Sequence, residues 1–190
     1  YINSVLEAYL PEAEGRQKTV LEAMHYSVTI GGKRIRPILT LEMFRTFAAE
    51  DAEEERIEPF LAAMEMLHTY SLVHDDLPDM DNDMYRRGRL TTHAKYGAAM
   101  GILAGDALLN KAFEIVADYK VDGVSEKQVL SAISCLGKSS GTEGMIGGQV
   151  VDIESREEDI ELLRYLHSLK TGALIRAAGV IGGILAGADE

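Results

Sequence analysis

The feature that most constrains this chain is a dense run of acidic residues that follows an apolar segment. Five aspartates lie within the nine positions from Asp75 to Asp83, and Pro78 stands among them. Carboxylates crowded in this way repel one another, which costs stability unless a cation neutralises them. Mg²⁺ prefers such hard oxygen ligands, keeps several waters and usually shares its shell with substrate phosphates. The run therefore predicts a magnesium site that also receives a phosphorylated ligand.

Composition limits the classes of protein to which the chain can belong. With 190 residues, of which 46% are hydrophobic, it is long enough for one domain with a sizeable core. A formal net charge of −12 argues against a nucleic-acid-binding surface. Cys135 is the only cysteine, so neither a disulfide framework nor a thiolate zinc site is expected, and a reducing, cytoplasmic compartment is favoured. The longest apolar run, Ala177 to Ala188, is too short to span a membrane.

Nearly every segment shows the apolar spacing that is typical of amphipathic helices, and no clear alternating strand is present. The expected helices cover about residues 1–10, 17–29, 38–49, 59–73, 92–119, 126–138 and 157–188. Ser125 with Gln128 resembles a capping box for the helix that begins at Glu126. Small residues at Gly97, Gly101 and Gly105 would let the helix that carries them approach a neighbour closely. Seven or eight helices with short connections predict an all-α fold, a single-domain antiparallel helix bundle over residues 1–190.

Pro78 is expected to bring the first and fourth aspartates of the run together. On an ideal helix Asp75 and Asp79 share a face, whereas Asp81 points away. Pro78 cannot donate a hydrogen bond to the carbonyl of His74, so the helix is kinked or ends there. A local bulge would then return Asp81 to the side of Asp75. One face of the preceding helix is expected to carry four polar residues: His68, Ser71, Asp75 and Asp79.

A calcium-binding EF-hand loop is a specific alternative interpretation of the same run. Asp79, Asp81 and Asp83 match the first three ligand positions of such a loop. The sixth position is Met84 instead of glycine, and the twelfth is Leu90 instead of glutamate. The EF-hand interpretation therefore fails.

Cationic sites elsewhere in the chain predict a ligand with several phosphate groups. Two glycines precede three cations at the start of a helix in the segment Gly31-Gly32-Lys33-Arg34-Ile35-Arg36-Pro37. Free N–H groups and the helix dipole favour anions at such a position. Two further cationic sites are Arg86-Arg87 and Lys170-Thr171. Carboxylates together with three cationic sites indicate a ligand held both by metal ions and by lysine or arginine.

These motifs together resemble those of the trans-isoprenyl diphosphate synthases. The first aspartate-rich motif of that family is similar to residues 68–81 followed by Arg86-Arg87-Gly88, and its isopentenyl-diphosphate site is similar to residues 32–37. Gly148-Gln149-Val150-Val151-Asp152 and Lys170-Thr171-Gly172 resemble two further signatures. Four residues separate Asp76 from Asp81, which is similar to the bacterial farnesyl diphosphate synthases. The resemblance implies a helix bundle with a central cavity.

The resemblance also implies a role for each matching residue. The implied ligands of Mg²⁺ are Asp75 and Asp81, with Asp76 and Asp79 in support. The residues implied to bind isopentenyl diphosphate are Lys33, Arg36, His68 and Arg87. Those implied to bind the allylic diphosphate are Arg86, Lys170, Thr171 and Gln149. The implied catalytic set is Asp75, Asp76, Asp81, Arg86 and Lys170. The implied reaction is ionisation of the allylic diphosphate, condensation with isopentenyl diphosphate, and loss of a proton.

Tyr70 is the residue that the resemblance connects with product length. It lies five residues before Asp75, which is roughly 7.5 Å along a helix axis. In similar enzymes an aromatic residue at this position closes the cavity at about the fifteen-carbon product. Helical geometry places Tyr70 about 140° around the axis from Asp75, so a packed core tyrosine is the alternative.

The chain departs from the family pattern in one respect. The family has a second aspartate-rich motif beyond the Lys-Thr site, and no such motif occurs before Glu190. We therefore expect the sequence to be C-terminally incomplete, an N-terminal part of a synthase domain. On that expectation, the 190 residues alone would not turn over isoprenyl diphosphates.

Several related functions remain open on the sequence. A geranylgeranyl or other short-chain synthase would carry the same motifs. A terpene cyclase or a head-to-head condensing enzyme also has aspartate-rich motifs but does not need a site like that of Lys33, Arg36 and Arg87. A non-catalytic synthase subunit would be expected to lose its aspartates. The family implies a homodimer, to which the Gly97, Gly101 and Gly105 row could contribute.

Overall fold

The computed structural model describes residues 1–119, 123–155 and 159–188. Within these ranges it contains ten α-helices, one turn of 3₁₀ helix and one very short hairpin. The all-α prediction is confirmed, whereas a count of seven or eight helices is too low. The chain forms two compact units. One consists of Tyr1–Arg34 and Pro59–Asp118, and the other of Ile35–Glu58 and the described part of Tyr119–Glu190. A single domain over residues 1–190 stays a prediction.

The first unit contains five helices and the hairpin. Its elements are α1 (Ile2–Tyr9), α2 (Lys18–Thr29), α4 (Glu58–Asp75, from Pro59 onward), β1 (Tyr85–Arg86), β2 (Arg89–Leu90), α5 (Thr92–Tyr96) and α6 (Ala98–Ala117). The second unit contains the 3₁₀ turn (Glu54–Ile57) and five helices, α3 (Ile35–Phe47), α7 (Glu126–Ser140), α8 (Met145–Glu154), α9 (Ile160–Lys170) and α10 (Gly172–Ala186). Helix α6 packs against α2 and α5, and α10 packs against α3, α7 and α9.

Helix α4 forms the core of the first unit and carries the site residues at its C-terminal end. All nine residues from Pro59 to Leu67 are buried, including the acidic Glu65. A helix buried on every side needs no polar face in this part, which explains its apolar composition. Beyond Leu67 the helix becomes partly exposed at His68, Ser71 and Leu72. The burial therefore anchors the helix, and its open end presents polar groups.

The predicted continuous helix from Thr92 to Tyr119 is wrong. Gly97 has a φ of 89° and separates α5 from α6. That backbone conformation is accessible to glycine but strained for other residues. The chain therefore changes direction at Gly97.

The glycines that follow on α6 allow it to lie directly against the end of α4. A Cβ atom added to Gly105 would lie 2.1 Å from Nε2 of His74, and one added to Gly101 would lie 3.0 Å from Cδ2 of Leu77. Nε2 of His74 also donates a hydrogen bond to the carbonyl oxygen of Ile102 at 3.0 Å. Gly101 and Gly105 thus serve packing within the chain.

Two predicted features of the second unit have different outcomes. The capping box of Ser125 and Gln128 is confirmed, and α7 begins at Glu126 as predicted. A continuous helix from Glu157 to Ala188 is wrong, because α9 and α10 meet at Thr171 with a bend of 41°. The expected start of that helix falls at residues 156–158, which lie outside the described residues.

The described helices differ from membrane-spanning helices in length or composition. None of them taken singly is long and apolar enough to cross a membrane. The bent pair α9 and α10 passes the test on length and composition alone. The helices of that pair differ in burial, since only Leu166 of α9 is buried, whereas eight residues of α10 are buried.

Candidate functional site

The chain turns back immediately after the last residue of α4. The N–H of Asp81 donates to the carbonyl oxygen of Asp75 at 2.9 Å, and that of Asn82 donates to Leu77 at 3.0 Å. A residue that precedes proline avoids the helical conformation, so Leu77 before Pro78 cannot continue α4. The predicted return of Asp81 to the side of Asp75 is confirmed for the backbone. The two aspartates are therefore joined by a fixed turn.

Part of the predicted polar face of α4 does not exist. His68 and Ser71 lie on α4, where the Ser71 hydroxyl donates to the carbonyl oxygen of His68 at 2.8 Å. Asp79 lies outside the helix, which ends at Asp75, and it is exposed in the following turn. The prediction that Asp79 continues the face is wrong because α4 stops three residues before Pro78.

Asp76 and Arg86 form a closely bonded ion pair. Nε of Arg86 donates to Oδ1 and Oδ2 of Asp76 at 3.0 and 2.9 Å, and Nη2 donates to Oδ1 at 2.6 Å. Only 3% of Asp76 is exposed. The pKa of Arg86 is raised, first by this hydrogen bond and further by the charges of Asp76, Asp75 and Asp83. Asp76 thus holds Arg86 as a permanent cation beside the aspartate turn.

A tight hairpin directs the two neighbouring arginines to different places. Strands β1 and β2 pair with Tyr85 opposite Leu90, which leaves Arg87 and Gly88 as the two turn residues. Their φ angles are 54° and 76°. Positive φ at both central positions is the signature of a type I′ turn, whose twist matches that of antiparallel strands. Arg86 therefore belongs to a strand, and Arg87 to the tip of the turn.

Hydrogen bonds from outside the hairpin fix its position. The Tyr26 hydroxyl on α2 donates to the carbonyl oxygen of Leu90 at 2.7 Å. The Thr91 hydroxyl donates to the carbonyl oxygen of Asp83 at 2.7 Å. Both ends of the hairpin are thereby attached to the helical part of the first unit. The hairpin that carries the arginines is thus held at both ends by hydrogen bonds.

Arg87 lies against the glycine loop that precedes Lys33. A Cβ atom added to Gly32 would lie 2.7 Å from Nη1 of Arg87, and the φ of Gly32 is 156°. A side chain at this position would displace the guanidinium. The structure thus brings together the turn arginine and the Gly31–Lys33 loop, two motifs that the family resemblance assigns to the same diphosphate. Lys33 itself is exposed.

A cleft in the first unit joins these groups. Four of the residues with an implied role line it: His68, Asp76, Arg86 and Arg87. The cleft therefore has two arginines on its hairpin side and is bounded by the C-terminal end of α4.

The sequence predicts that Lys33, Arg34 and Arg36 form one phosphate site. Arg34 does not lie at the surface of the Gly31–Lys33 loop as this prediction requires. Arg34 is turned inward instead, and its Nη1 donates to Oε1 of buried Glu65 at 2.7 Å. Its φ of 52° accounts for the reversal, because the left-handed conformation redirects the side chain. The expectation that Arg34 binds phosphate is therefore wrong. Arg36 lies on α3, in the second unit.

The other implied ligands lie in the second unit, on α8 and at the junction of α9 and α10. Nζ of Lys170 donates to Oδ2 of Asp152 at 2.6 Å, and both side chains are partly exposed. A Cβ atom added to Gly148 would lie 2.3 Å from the backbone nitrogen of Lys170. Gln149 follows Gly148 on α8, and exposed Thr171 follows Lys170. The contact at Gly148 thus sets the distance between the two motifs.

Tyr70 is a core residue of α4. Its exposed fraction is 5%, and its hydroxyl has no hydrogen-bond partner among the residues that the structure describes. Burial raises the pKa of the phenol. Its ring packs edge-to-face on that of His74, with 5.8 Å between centroids. Tyr70 therefore lies just beneath the aspartate turn.

The acidic turn can supply only some of the ligands that a metal ion needs. Among the residues that the structure describes, no three His, Cys, Asp or Glu side chains are grouped so that they could hold a metal ion. Asp75 and Asp81, joined by the turn, supply hard carboxylate oxygens, whereas Asp76 is engaged by Arg86. Mg²⁺ usually takes one or two carboxylates and completes its shell with water and substrate phosphate. The donor set fits that ion, shared with a phosphorylated ligand.

Comparison with known proteins decides the family. The sequence profile of the polyprenyl synthetases matches residues 17–190. The chain belongs to the polyprenyl synthetase family. The resemblance found in the motifs is thereby confirmed over most of the chain.

Individual relatives of this polyprenyl synthetase chain agree with the profile. It is 41% identical over 190 residues to the farnesyl diphosphate synthase of Geobacillus stearothermophilus, covering 99% of the chain and 63% of the relative. It is 43% identical over 195 residues to the heterodimeric geranylgeranyl pyrophosphate synthase large subunit 1, chloroplastic, of Arabidopsis thaliana, covering 100% and 51%. The chain thus spans between half and two thirds of these curated relatives.

A solved structure supports the fold assignment. The FPP/GFPP synthase from Zymomonas mobilis superposes with a TM-score of 0.91 and 36% identity. The match covers 100% of this chain and 68% of that one. The chain therefore has the all-α fold of the isoprenyl diphosphate synthases.

The structure adds functional residues to this polyprenyl synthetase site that sequence reasoning did not assign. The sequence motif that contains Asp152 gives this residue no role, whereas in the structure its carboxylate holds the Lys170 ammonium. Sequence reasoning gives no role to Glu65, which engages Arg34, and does not predict that Gly32 of the glycine loop makes room for Arg87. An acidic residue in an otherwise apolar helix was the available signal for Glu65.

Proposed function

We propose that the protein is a prenyltransferase that condenses isopentenyl diphosphate with an allylic diphosphate, dimethylallyl or geranyl, to give farnesyl diphosphate. The observation that carries this proposal is the division of Arg86 and Arg87 by one hairpin. Arg86 is bound beside the aspartate turn, whereas Arg87 lies on the glycine loop that carries Lys33. Because these two adjacent cations lie at different locations, each could bind the diphosphate of a different substrate.

The glycine loop and the turn arginine suit the diphosphate of isopentenyl diphosphate. We assign this diphosphate to Lys33, Arg36, His68 and Arg87. In the first unit, the guanidinium of Arg87 lies against Gly32, the residue before exposed Lys33, and His68 lines the cleft that contains Arg87. Arginine binds diphosphate oxygens in pairs and lysine acts as a point charge. Arg36 would contribute from the start of α3.

The aspartate turn suits the allylic diphosphate. Asp75 and Asp81 would hold Mg²⁺, with Asp79 nearby in the same turn. The ion, when bound, would stabilise negative charge on the diphosphate oxygens. Arg86 supplies a fixed positive charge at the same place, because the Asp76 carboxylate orients its guanidinium before substrate arrives. Preorganised charge of this kind lowers the barrier without reorganisation at the moment of reaction.

The family motifs also assign Lys170, Thr171 and Gln149 to the allylic diphosphate. In the structure the Lys170 ammonium is bonded to Asp152. A diphosphate carries more negative charge than one carboxylate, so Lys170 can exchange Asp152 for the substrate. Asp152 would then keep the side chain extended between turnovers.

The reaction balances with these groups in place. The allylic carbon–oxygen bond breaks, and its electron pair leaves with pyrophosphate. The double bond of isopentenyl diphosphate supplies the electron pair of the new carbon–carbon bond. A proton then leaves the neighbouring carbon to restore a double bond, and the departing pyrophosphate accepts it. The cations named above stabilise the pyrophosphate.

An incorporation assay tests the proposal. We expect the gene product that contains residues 1–190 to convert labelled isopentenyl diphosphate and geranyl diphosphate to farnesyl diphosphate, and to lose that activity in EDTA. Cyclisation of geranyl diphosphate without uptake of label would contradict the proposal and favour a cyclase. Activity that EDTA leaves unchanged would contradict the assignment of Mg²⁺.

Tyr70 provides a prediction on product length. We expect Tyr70→Ala to give products longer than farnesyl diphosphate, because removal of the ring opens space beneath the aspartate turn. The same change should lower the free energy of unfolding by about 3 kcal/mol, since it leaves a cavity in the core. Product chromatography and chemical denaturation measure the two effects.

Tyr70→Phe is the matched control. It keeps the ring and removes a buried hydroxyl that has no partner. Leaving such a group buried is unfavourable, so we expect Tyr70→Phe to keep the product and to raise stability by up to about 1 kcal/mol. An unchanged product profile in Tyr70→Ala would contradict the role in chain length. Longer products would also be the wild-type result if the enzyme is a geranylgeranyl synthase, as several relatives are named.

We also propose a homodimer and a cytoplasmic location. The exposed side chains of Ile102 and Leu103 on α6 support the first. Cys135 is free, which supports a reducing compartment. Light scattering of the purified protein tests the oligomeric state.

A further inference from the structure

The inward-turned Arg34 makes contacts to three helices of the first unit. Nε donates to Oδ1 of Asn3 on α1 at 3.1 Å, Nη2 to the carbonyl oxygen of Val28 on α2 at 2.7 Å, and Nη1 to Oε1 of Glu65 on α4 at 2.7 Å. The guanidinium thus bonds to a side-chain amide, a backbone carbonyl and a carboxylate. Its side chain is 10% exposed, and that of Glu65 is 3% exposed. A buried charge pair of this kind is tolerated only when its hydrogen bonds are well satisfied.

The backbone around Arg34 depends on these contacts. Gly31, Gly32 and Arg34 have φ angles of 108°, 156° and 52°. Glycines are flexible in such conformations, and a non-glycine residue there is strained, so the loop has little rigidity of its own. The hydrogen bonds of Arg34 attach this loop to α1, α2 and α4. Lys33 lies between Gly32 and Arg34, so its position is set from both sides.

Glu65 connects the loop to the rest of the site. It lies three residues before His68 on α4, so the two side chains share a face of the helix. Both line the cleft that also contains Arg87. An ion pair between Arg34 and Glu65 therefore fixes the Gly31–Lys33 loop relative to His68.

We propose that Arg34 and Glu65 are positioning residues that hold Lys33 and Gly32 in place for the isopentenyl diphosphate. This inference rests on the proposed function of the loop. Arg34 touches no substrate in this arrangement and acts through Lys33. Its specific consequence is a defect confined to one of two substrates, because the pair contacts the loop and not the aspartate turn.

The shape of the guanidinium, and not its charge alone, is required. Lysine places one ammonium at the end of a flexible chain, whereas arginine presents separate donors in a planar fork. Three acceptors on three helices cannot all be reached by one ammonium in the same way. Arg34→Lys therefore retains the charge against Glu65 but releases the loop.

The experiment compares steady-state kinetics of the gene product that contains residues 1–190 with those of three variants. We expect Arg34→Lys to raise KM for isopentenyl diphosphate about tenfold through loss of charge-assisted hydrogen bonds. KM for geranyl diphosphate should stay within about twofold, since distant sites behave independently. Asn3→Ala removes a single acceptor on the exposed side of the guanidinium, and about a threefold rise in KM for isopentenyl diphosphate is expected. Arg45→Lys is the control, because Arg45 forms an exposed ion pair with Glu54 outside the site; both KM values should be unchanged.

Equal increases in both KM values, accompanied by a lower Tm, would indicate a merely structural role and overturn the inference. So would a folded Arg34→Lys with an unchanged KM for isopentenyl diphosphate. If Arg34→Lys does not fold, an unchanged KM in Asn3→Ala overturns it. Calorimetric titration with isopentenyl diphosphate separates this inference from the proposed function. Binding by the wild type that is weakened in Arg34→Lys, without turnover, would reject the function and support the inference. Absence of binding by the wild type would reject both.

Discussion

Replacing Asp76 with asparagine is expected to lower the free energy of unfolding by about 2 to 3 kcal/mol and kcat by about 100-fold. Asp76 is almost fully buried, and both of its oxygens accept hydrogen bonds from Arg86. Asparagine removes the negative charge and places an NH₂ group against the guanidinium, so a half-buried cation loses its partner. Arg86 would then turn toward solvent, and the charge beside the aspartate turn would be lost.

Urea denaturation and kcat with geranyl diphosphate measure the two effects of Asp76→Asn. Asp83→Asn is the matched control, because Asp83 belongs to the same acidic run, is exposed, and anchors the hairpin through its backbone carbonyl. We expect this control to change stability by less than about 0.5 kcal/mol. Equal effects of the two substitutions would mean that net charge matters and the Asp76–Arg86 pair does not.

Replacing Gly148 with alanine is expected to lower the free energy of unfolding by about 2 to 3 kcal/mol through overpacking. The new Cβ atom would lie 2.3 Å from the backbone nitrogen and 2.7 Å from the Cα atom of Lys170. Backbone atoms at the end of α9 cannot move aside as a flexible side chain can, so α8 and α9 must separate. A displacement of about 1 Å at Lys170 would cost about 100-fold in kcat.

Gly179→Ala is the control for Gly148→Ala. Gly179 lies inside α10, and the nearest atom to an added Cβ is Cγ of Met43 at an ordinary 3.8 Å. Alanine favours the helix over glycine, so this variant should gain about 0.5 to 1 kcal/mol. Thermal denaturation of both variants checks the contrast in sign. A stabilised Gly148→Ala would contradict the close packing of α8 on α9.

Much of the fold could be predicted because helices leave a periodic signal in the sequence. The start of α7 at Glu126 was predicted correctly from the side chains of Ser125 and Gln128, which cap it in the structure. The breaks at Gly97 and Thr171 were missed. Glycine or threonine within an apolar-periodic segment is compatible with a continuous helix, and only the surrounding packing decides whether the chain bends.

The hairpin was missed for a different reason. Type I′ turns are usually recognised by Asn-Gly or Asp-Gly, whereas this turn is Arg87-Gly88. Strands of two residues also leave no alternation to detect. The arginine was predicted as a ligand from the family motif, but its unusual backbone conformation was not.

The types of residue in the site were predictable, and their pairing was not. Ionisable side chains can be listed from a sequence, but which carboxylate neutralises which cation depends on contacts between distant segments. Arg34 and Glu65 are 31 positions apart, and Lys170 and Asp152 are 18 apart. Neither pair leaves a local signal. The sequence therefore suggests that Arg34 is a phosphate ligand, whereas in the structure its guanidinium donates a hydrogen bond to buried Glu65.

The two-residue turn also restricts how this part of the gene can change length. Side chains alternate between the faces of a strand, so one residue inserted or deleted between Asp83 and Arg86 would point Arg86 away from Asp76. A longer loop would remove Arg87 from Gly32. Insertions and deletions among homologous genes are therefore expected to avoid the stretch from Asp83 to Leu90. They should accumulate instead in connections such as residues 50–53, where a change in length moves no group of the site.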